Sequence, residues 1–312
     1  MSAPATTSST APDSRAGLFY AFAAYGLWGF FPLYFLALAP AGPFEIVSWR
    51  VLFSALFCAL AILVLRRGGR IARIMRDRRS LIALGVAGVL VFVNWQVYVL
   101  AVVTERVNEA ALGYFINPIV TVLLGVVVLG EKLRVLQWIA VGISGVAVLV
   151  LAIYNGSFPW ISIVLALSFG LYGLVKKRVG VTVDALTGLA VETAWLTPFA
   201  IAQLIFVGVT SGIVFGSAGA INTILLVSAG VVTSIPLLLF AAAARRLPLF
   251  VIGFIQYLTP ILQFLIGTFV LLEAMPLERW VGFSLVWFAL VVFSVDMAHH
   301  SRSVRRALPL PG

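Results

Sequence analysis

Between Gly17 and Ala298 the chain is an almost unbroken succession of apolar stretches of membrane-crossing length, and its arginines and lysines fall in alternate gaps between them. A helix needs about 20 mainly apolar residues to cross the hydrocarbon core of a bilayer. Ten such stretches can be drawn, at 17–38, 45–65, 80–103, 109–129, 135–153, 160–175, 185–207, 220–244, 249–272 and 280–298. The sixth is short, and its ends are set by Phe158-Pro159 and by the basic run Lys176-Lys177-Arg178. With 62% hydrophobic residues and a mean hydropathy of +1.12, the chain lies far above a soluble domain, so lipid is the solvent for most of its surface.

The basic residues then orient the chain, because cytoplasmic loops carry the positive excess. With the N terminus inside, the inner segments hold Arg15, the seven arginines from Arg66 to Arg79, Lys132, Arg134, Lys176, Lys177, Arg178, Arg245, Arg246, Arg302, Arg305 and Arg306. The outer loops hold only Arg106 and Arg279. One missed span would invert everything after it, so this asymmetry supports the span count as well as the cytoplasmic placement of both termini. The net charge of +10 is thereby a topology signal, not a nucleic-acid footprint, which would gather the basic groups on one face. Residues 1–16, rich in Ser, Thr, Ala and Pro, have little apolar surface to bury and are expected to be a disordered tail, as is the basic tail 299–312. The stretch 17–38 is too long for the apolar region of a cleaved signal peptide and is read as a retained span. The single cysteine, Cys58, lies mid-span and allows no intrachain disulfide.

The two halves of the chain resemble each other. Pro118, Gly125 and Glu131 recur at the same offsets as Pro260, Gly267 and Glu273, and Tyr25-Gly26-Leu27-Trp28-Gly29 recurs as Phe169-Gly170-Leu171-Tyr172-Gly173. Both matches imply a register shift of about 143 residues, hence one duplication of five spans: a first repeat over 17–153 and a second over 160–298. A unit with an odd number of spans, duplicated in tandem, inserts its second copy upside down, the inverted repeat of many secondary transporters.

Polar groups deep in hydrocarbon are costly and tend to face a bundle interior or a wet cavity. Asn94 and Gln96, Asn117, Ser234, and Gln256 with Gln263 lie near mid-depth. Gly113, Asn117, Thr121 and Gly125 form one stripe on the fourth span, and Gly253, Gln256, Pro260, Gln263 and Gly267 a second on the ninth. Each is either a helix-packing face or a cavity wall. Pro32, Pro118, Pro198, Pro236 and Pro260 lie within spans, and Pro118 and Pro260 are expected to break their helices beside Asn117 and Gln256. Tyr25, Trp28, Trp95, Tyr114, Tyr172 and Tyr257 are candidates to wall a cavity, while Trp138, Trp160 and Trp280 at span edges read as interfacial anchors. Two charges lie deep: Arg50, a candidate anchor for an anionic or carboxylate-bearing substrate, and Glu192, a candidate for ion coupling. Glu45, Glu109, Glu131 and Glu273 sit at span ends, where interfacial solvation accounts for them.

There is no phosphate-binding G-x-x-x-x-G-K-[ST] loop and no H-E-x-x-H motif, and both histidines are adjacent in the tail, so neither a cofactor nor a metal is expected and an enzyme is disfavoured. Glu109-Ala-Ala-Leu-Gly-Tyr-Phe-Ile-Asn-Pro118 with Gly130-Glu131-Lys132, together with Asn94-Trp95, Trp49-Arg50, Glu192-Thr-Ala-Trp195 and Gly253-Phe-Ile-Gln-Tyr257, resembles the RarD subfamily of EamA-type carriers in the drug/metabolite transporter superfamily. The resemblance covers about residues 17 to 298. It implies ten helices as two inverted EamA repeats, a central cavity, and carriage of a small organic molecule across the cell (cytoplasmic) membrane, with efflux the direction. A lipid-modifying membrane enzyme and a passive channel are the competing readings.

Overall fold

The structure is a computed structural model, described over residues 11–129, 133–154, 158–179, 183–244, 246–247 and 255–307; among these it contains helices and no strands. In chain order the helices are α1 (Ala11–Gly29), α2 (Phe31–Leu36), α3 (Pro43–Val64), α4 (Gly68–Arg76), α5 (Arg78–Val103), α6 (Val107–Leu129), α7 (Val135–Tyr154), α8 (Trp160–Val179), α9 (Ala185–Thr210), α10 (Ala220–Ala244), α11 (Leu258–Leu265) and α12 (Leu277–Ala307), with a π-helical turn, Ile266–Val270, directly after α11. Six of them, α3, α5, α6, α9, α10 and α12, hold segments long and apolar enough to cross a bilayer. Shorter apolar stretches, Val135–Leu151, Trp160–Lys176 and Leu258–Val270, fall on the expected fifth, sixth and ninth spans. The outward faces are apolar, with Phe19, Leu63, Val127, Ile153, Val209 and Ile221 among the most exposed side chains.

Three expectations change. The first span is not one helix: α1 ends at Gly29 and α2 begins at Phe31 with Pro32 near its start, since proline lacks the N–H that would have continued the ladder to the Trp28 carbonyl. Pro118, by contrast, lies inside an unbroken helix, since α6 runs through it from Val107 to Leu129. Pro260 lies in the first turn of α11, just after a turn at Gln256 and Tyr257, where a missing N–H costs nothing. At the chain ends, helix reaches back to Ala11 and on to Ala307, so residues 11–16 and 299–307 extend the end spans where the sequence reading expected tails. Glu131, Lys132 and Gly253 lie outside the described residues.

The helix pairing has a simple rule. The main packed pairs are α1 with α10 and α11, α8 with α5 and α6, α3 with α10, α9 with α5, and then α3 with α9, α6 with α11, and α7 with α12. Exchanging every helix with the one five spans away leaves this set unchanged. Three of the pairs therefore lie on the exchange axis itself, so most helix contacts cross between the halves of the chain. Small residues make the closest approaches: a Cβ on Gly113 would meet the Ser162 carbonyl oxygen at 2.7 Å.

Ion pairs tie the expected cytoplasmic side. Asp184 caps α9 through the Thr187 amide and receives Arg67 and Arg70 from the segment joining α3 to α5, and Arg134 forks onto Asp296 of α12. Burial pushes the Asp184 carboxyl up, but hydrogen bonds from Arg70 and Thr187 outweigh it and hold the group below the ordinary carboxylate range.

Candidate substrate site

Arg50 projects from α3 into the centre of the bundle and is 3% exposed. Its Nε donates to the Thr233 hydroxyl of α10 at 2.7 Å, and the guanidinium lies 4.1 Å over the Trp95 ring of α5, with Phe35 at 5.3 Å and Phe31 at 5.6 Å. Nη1 has no hydrogen-bond partner, and among the described residues no carboxylate pairs with this arginine. Cation–π contact therefore supplies part of the solvation that water would have given. The phenols of Tyr34, Tyr98 and Tyr114 share its electrostatic surroundings.

The neighbouring polar groups are mostly tied off. Asn94 donates to the Leu165 carbonyl and to Ser168 of α8 and accepts from Tyr114, so it is a clamp that aims Tyr114 and not a free amide. Tyr34 donates to the Leu225 carbonyl at 2.6 Å. Gln263 donates to the Tyr98 hydroxyl at 2.9 Å and to the Trp28 carbonyl at 3.2 Å, while its own Oε1 has no partner. That carbonyl is the one Pro32 leaves without a helical N–H. One turn away, Thr259 donates to the Tyr25 carbonyl at 2.7 Å, so α11 clasps the broken end of α1 through residues i and i+4.

In the register set by the recurring sequence strings, Thr259 and Gln263 align with Asn117 and Thr121, and Tyr25 and Trp28 with Phe169 and Tyr172. The equivalent clasp is not made. Thr121 turns back onto the Asn117 carbonyl, and the buried Oδ1 of Asn117 has no partner. The glycines repeat the asymmetry. A Cβ on Gly29 would lie 2.7 Å from that of Leu262, whereas its counterpart Gly173 has nothing within 4 Å of the same position. Along both stripes the end expected outside is packed, Gly113 on Ser162 and Gly267 on Asn108, and the inner members Thr121 and Gln256 are exposed and half-exposed.

The other predicted residues are scattered over four further places. Tyr25 and Trp28 pack edge-on with each other and against Phe240 near the start of the clasp. Tyr257 packs instead with the α6, α7 and α12 cluster, away from Arg50. Ser234 is fully buried beside the α3 face without a hydrogen-bond partner. Glu192 is 1% exposed but not bare: Lys176 of α8 donates to it at 2.6 Å and Tyr172 at 3.4 Å. Lys176, which reads in sequence as an interfacial stop, is thus its counter-ion. Tyr34, Tyr98, Thr233 and Ser168 were also missed, because a hydroxyl on an apolar helix carries no directional signal until its neighbour is known. Glu45 and Glu273 are buried, not interfacial. Glu45 accepts from the Val214 and Phe215 amides, and Glu273 accepts from the Val107 and Asn108 amides at the start of α6. Both contacts close the expected outer side between the two halves.

The pattern of the EamA-like transporter family fits residues 15–153. Protein RarD of Streptomyces exfoliatus is 46% identical over 95% of this chain and 93% of its own length, and Protein RarD of Escherichia coli K12 is 37% identical over 94% and 98%. A Pseudomonas aeruginosa relative, described as chloramphenicol-sensitive protein RarD, is 29% identical over 94% and 98%. A solved structure described as a crystal structure of a protein shares the fold, with a TM-score of 0.59 at 17% identity over 92% of this chain and 99% of its own. With the resemblance running through both halves, the chain belongs to the EamA-like transporter family, in its RarD subfamily, and is a multi-pass membrane transporter of the drug/metabolite class.

Proposed function

We propose that this chain is a secondary carrier that moves a small organic metabolite or drug across the cytoplasmic membrane by alternating access, with export as its direction. In this reading residues 17–153 and 160–298 are two inverted repeats, both termini are cytoplasmic, and the central space between α1, α5, α6, α8, α10 and α11 holds the substrate. The observation that carries it is the unequal pair of clasps. Inverted repeats give each contact a counterpart of opposite orientation in the other half of the chain. A carrier must have one end shut and the other open, which is what equivalent contacts made once and unmade once provide. Thr259 and Gln263 of α11, clasping α1 near mid-depth, are then the contact that is made. Asn117 and Thr121, facing α8 across Gly170 and the open Gly173, are its counterpart, which closes when the first opens.

A cross-link tests the cycle. In a background lacking Cys58, the pair Gly29→Cys and Leu262→Cys, whose Cβ atoms would lie 2.7 Å apart, is expected to join under an oxidant once the helices part by about 1 Å to disulfide distance, to reduce counterflow in proteoliposomes to the level of empty vesicles, and to regain flux on reduction. Undiminished flux through the cross-linked protein would exclude this gate. Orientation is tested separately: cysteines at Arg73 and Ser217 are expected to react with an impermeant thiol reagent from opposite faces, and labelling from one face would overturn the span order.

A further inference from the structure

We propose that Arg50 is the receptor for the carboxylate of a flat, largely apolar organic acid, so that the transported class is a small aromatic or similarly planar carboxylate. The inference rests on the carrier reading above and gives its substrate a chemical class. A buried guanidinium with no counter-charge is costly to keep, and ordinary structural arginines at such depth are paired. Lys176 and Glu192 show how this fold neutralises a charge when the purpose is internal. Among the described residues no carboxylate neutralises Arg50, at the point where α2, α3, α5 and α10 meet.

The geometry also selects the ligand. Thr233 occupies Nε and the indole of Trp95 covers one face of the guanidinium, which fixes its plane and leaves the terminal nitrogens as the free donors. A planar two-nitrogen edge matches a carboxylate fork. A phosphate would call for several further donors around its remaining oxygens, and of the nearby phenols Tyr34 and Tyr114 already donate elsewhere, which leaves Tyr98. The surrounding walls are rings, namely Phe31, Phe35, Trp95, Tyr98 and Tyr114, which suit a flat apolar body. The bound acid would supply the missing charge, and the rings would exclude water around the pair, strengthening it.

The test uses the purified full chain in detergent with benzoate, indole-3-acetate and 4-hydroxyphenylacetate as probes, each beside its neutral amide, and phenyl phosphate as the competing anion. At least one carboxylate is expected to raise the thermal midpoint while its amide does not. Arg50→Gln is expected to weaken that binding roughly ten- to hundredfold, the loss of one charge-assisted hydrogen-bonded pair. The empty Arg50→Gln protein should melt at the parent's temperature or above, since an unpaired buried charge has been removed. Arg50→Lys, a single-point donor, should retain a weaker response. Equal protection by acids and amides, tighter binding of phenyl phosphate, no protection by any acid at millimolar concentration, or a destabilised Arg50→Gln that still binds would each overturn the proposal. Counterflow of the same compounds separates the two readings. Flux of the neutral amides alone would leave the carrier standing without the carboxylate site. Arg50-dependent acid binding without any flux would leave the site standing and remove the carrier.

Discussion

Gly230→Ala is expected to lower the thermal midpoint and the amount of protein in the membrane, and to weaken whatever binds at Arg50. A Cβ at this position would lie 2.4 Å from both the carbonyl carbon and the oxygen of Phe53, and those are backbone atoms of α3 that no rotamer change can move. The helices must part, at a cost of about 1–3 kcal/mol for a single overpacked methyl. Parting them also separates Arg50 on α3 from Thr233 on α10, which lies one turn beyond Gly230 and holds Nε. Gly26→Ala is the control, since nothing lies within 4 Å of its would-be Cβ, and helix propensity there favours alanine by up to about 1 kcal/mol. A Gly230→Ala protein as stable as the parent would mean that α3 and α10 do not approach as described.

The second large effect is at the pair between α8 and α9. Lys176→Met strands Glu192, which is 1% exposed, and is expected to cost about 3 kcal/mol, the penalty for leaving one member of a buried ion pair. Combining it with Glu192→Gln should restore most of the loss, because the stranded charge is then gone and the two side chains still fill the space. If the double variant is no better than Lys176→Met alone, the pair is not the source of the stability. The single change Glu192→Gln tests coupling. A group that carries the proton is expected to leave exchange across the vesicle membrane intact when replaced by its amide, but to abolish accumulation driven by a pH gradient. Gradient-driven uptake that survives the change would make the Lys176–Glu192 pair purely structural.

How far the linear chain reveals such a protein depends on what each residue needs in order to be understood. Arg50 and Glu192 stood out in the sequence because charge in hydrocarbon is expensive wherever it sits. What each does was not legible, since that depends on whether a partner arrives from another helix. Lys176 reaches Glu192, and among the described residues no carboxylate reaches Arg50. The prolines show the same division. All were visible, but Pro32 opens the chain between α1 and α2 while Pro118 is carried inside an intact helix, although both are buried. Asn94, which reads as a cavity amide, is spent on holding Tyr114 and α8.

Apolar length and the placement of arginine and lysine determined, from the sequence by itself, that this is a multi-pass helical membrane protein, because the free energies of burying apolar surface and of moving charge across a bilayer are set residue by residue. The recurrence of short strings pointed to duplication for the same local reason. The tertiary structure alone decided which equivalent contacts are made. Gln263 clasps the Trp28 carbonyl and its counterpart Thr121 does not reach Tyr172. The stripes differ at both clasp positions, Thr259 against Asn117 and Gln263 against Thr121, but whether either pair reaches its carbonyl depends on how whole helices lean on one another.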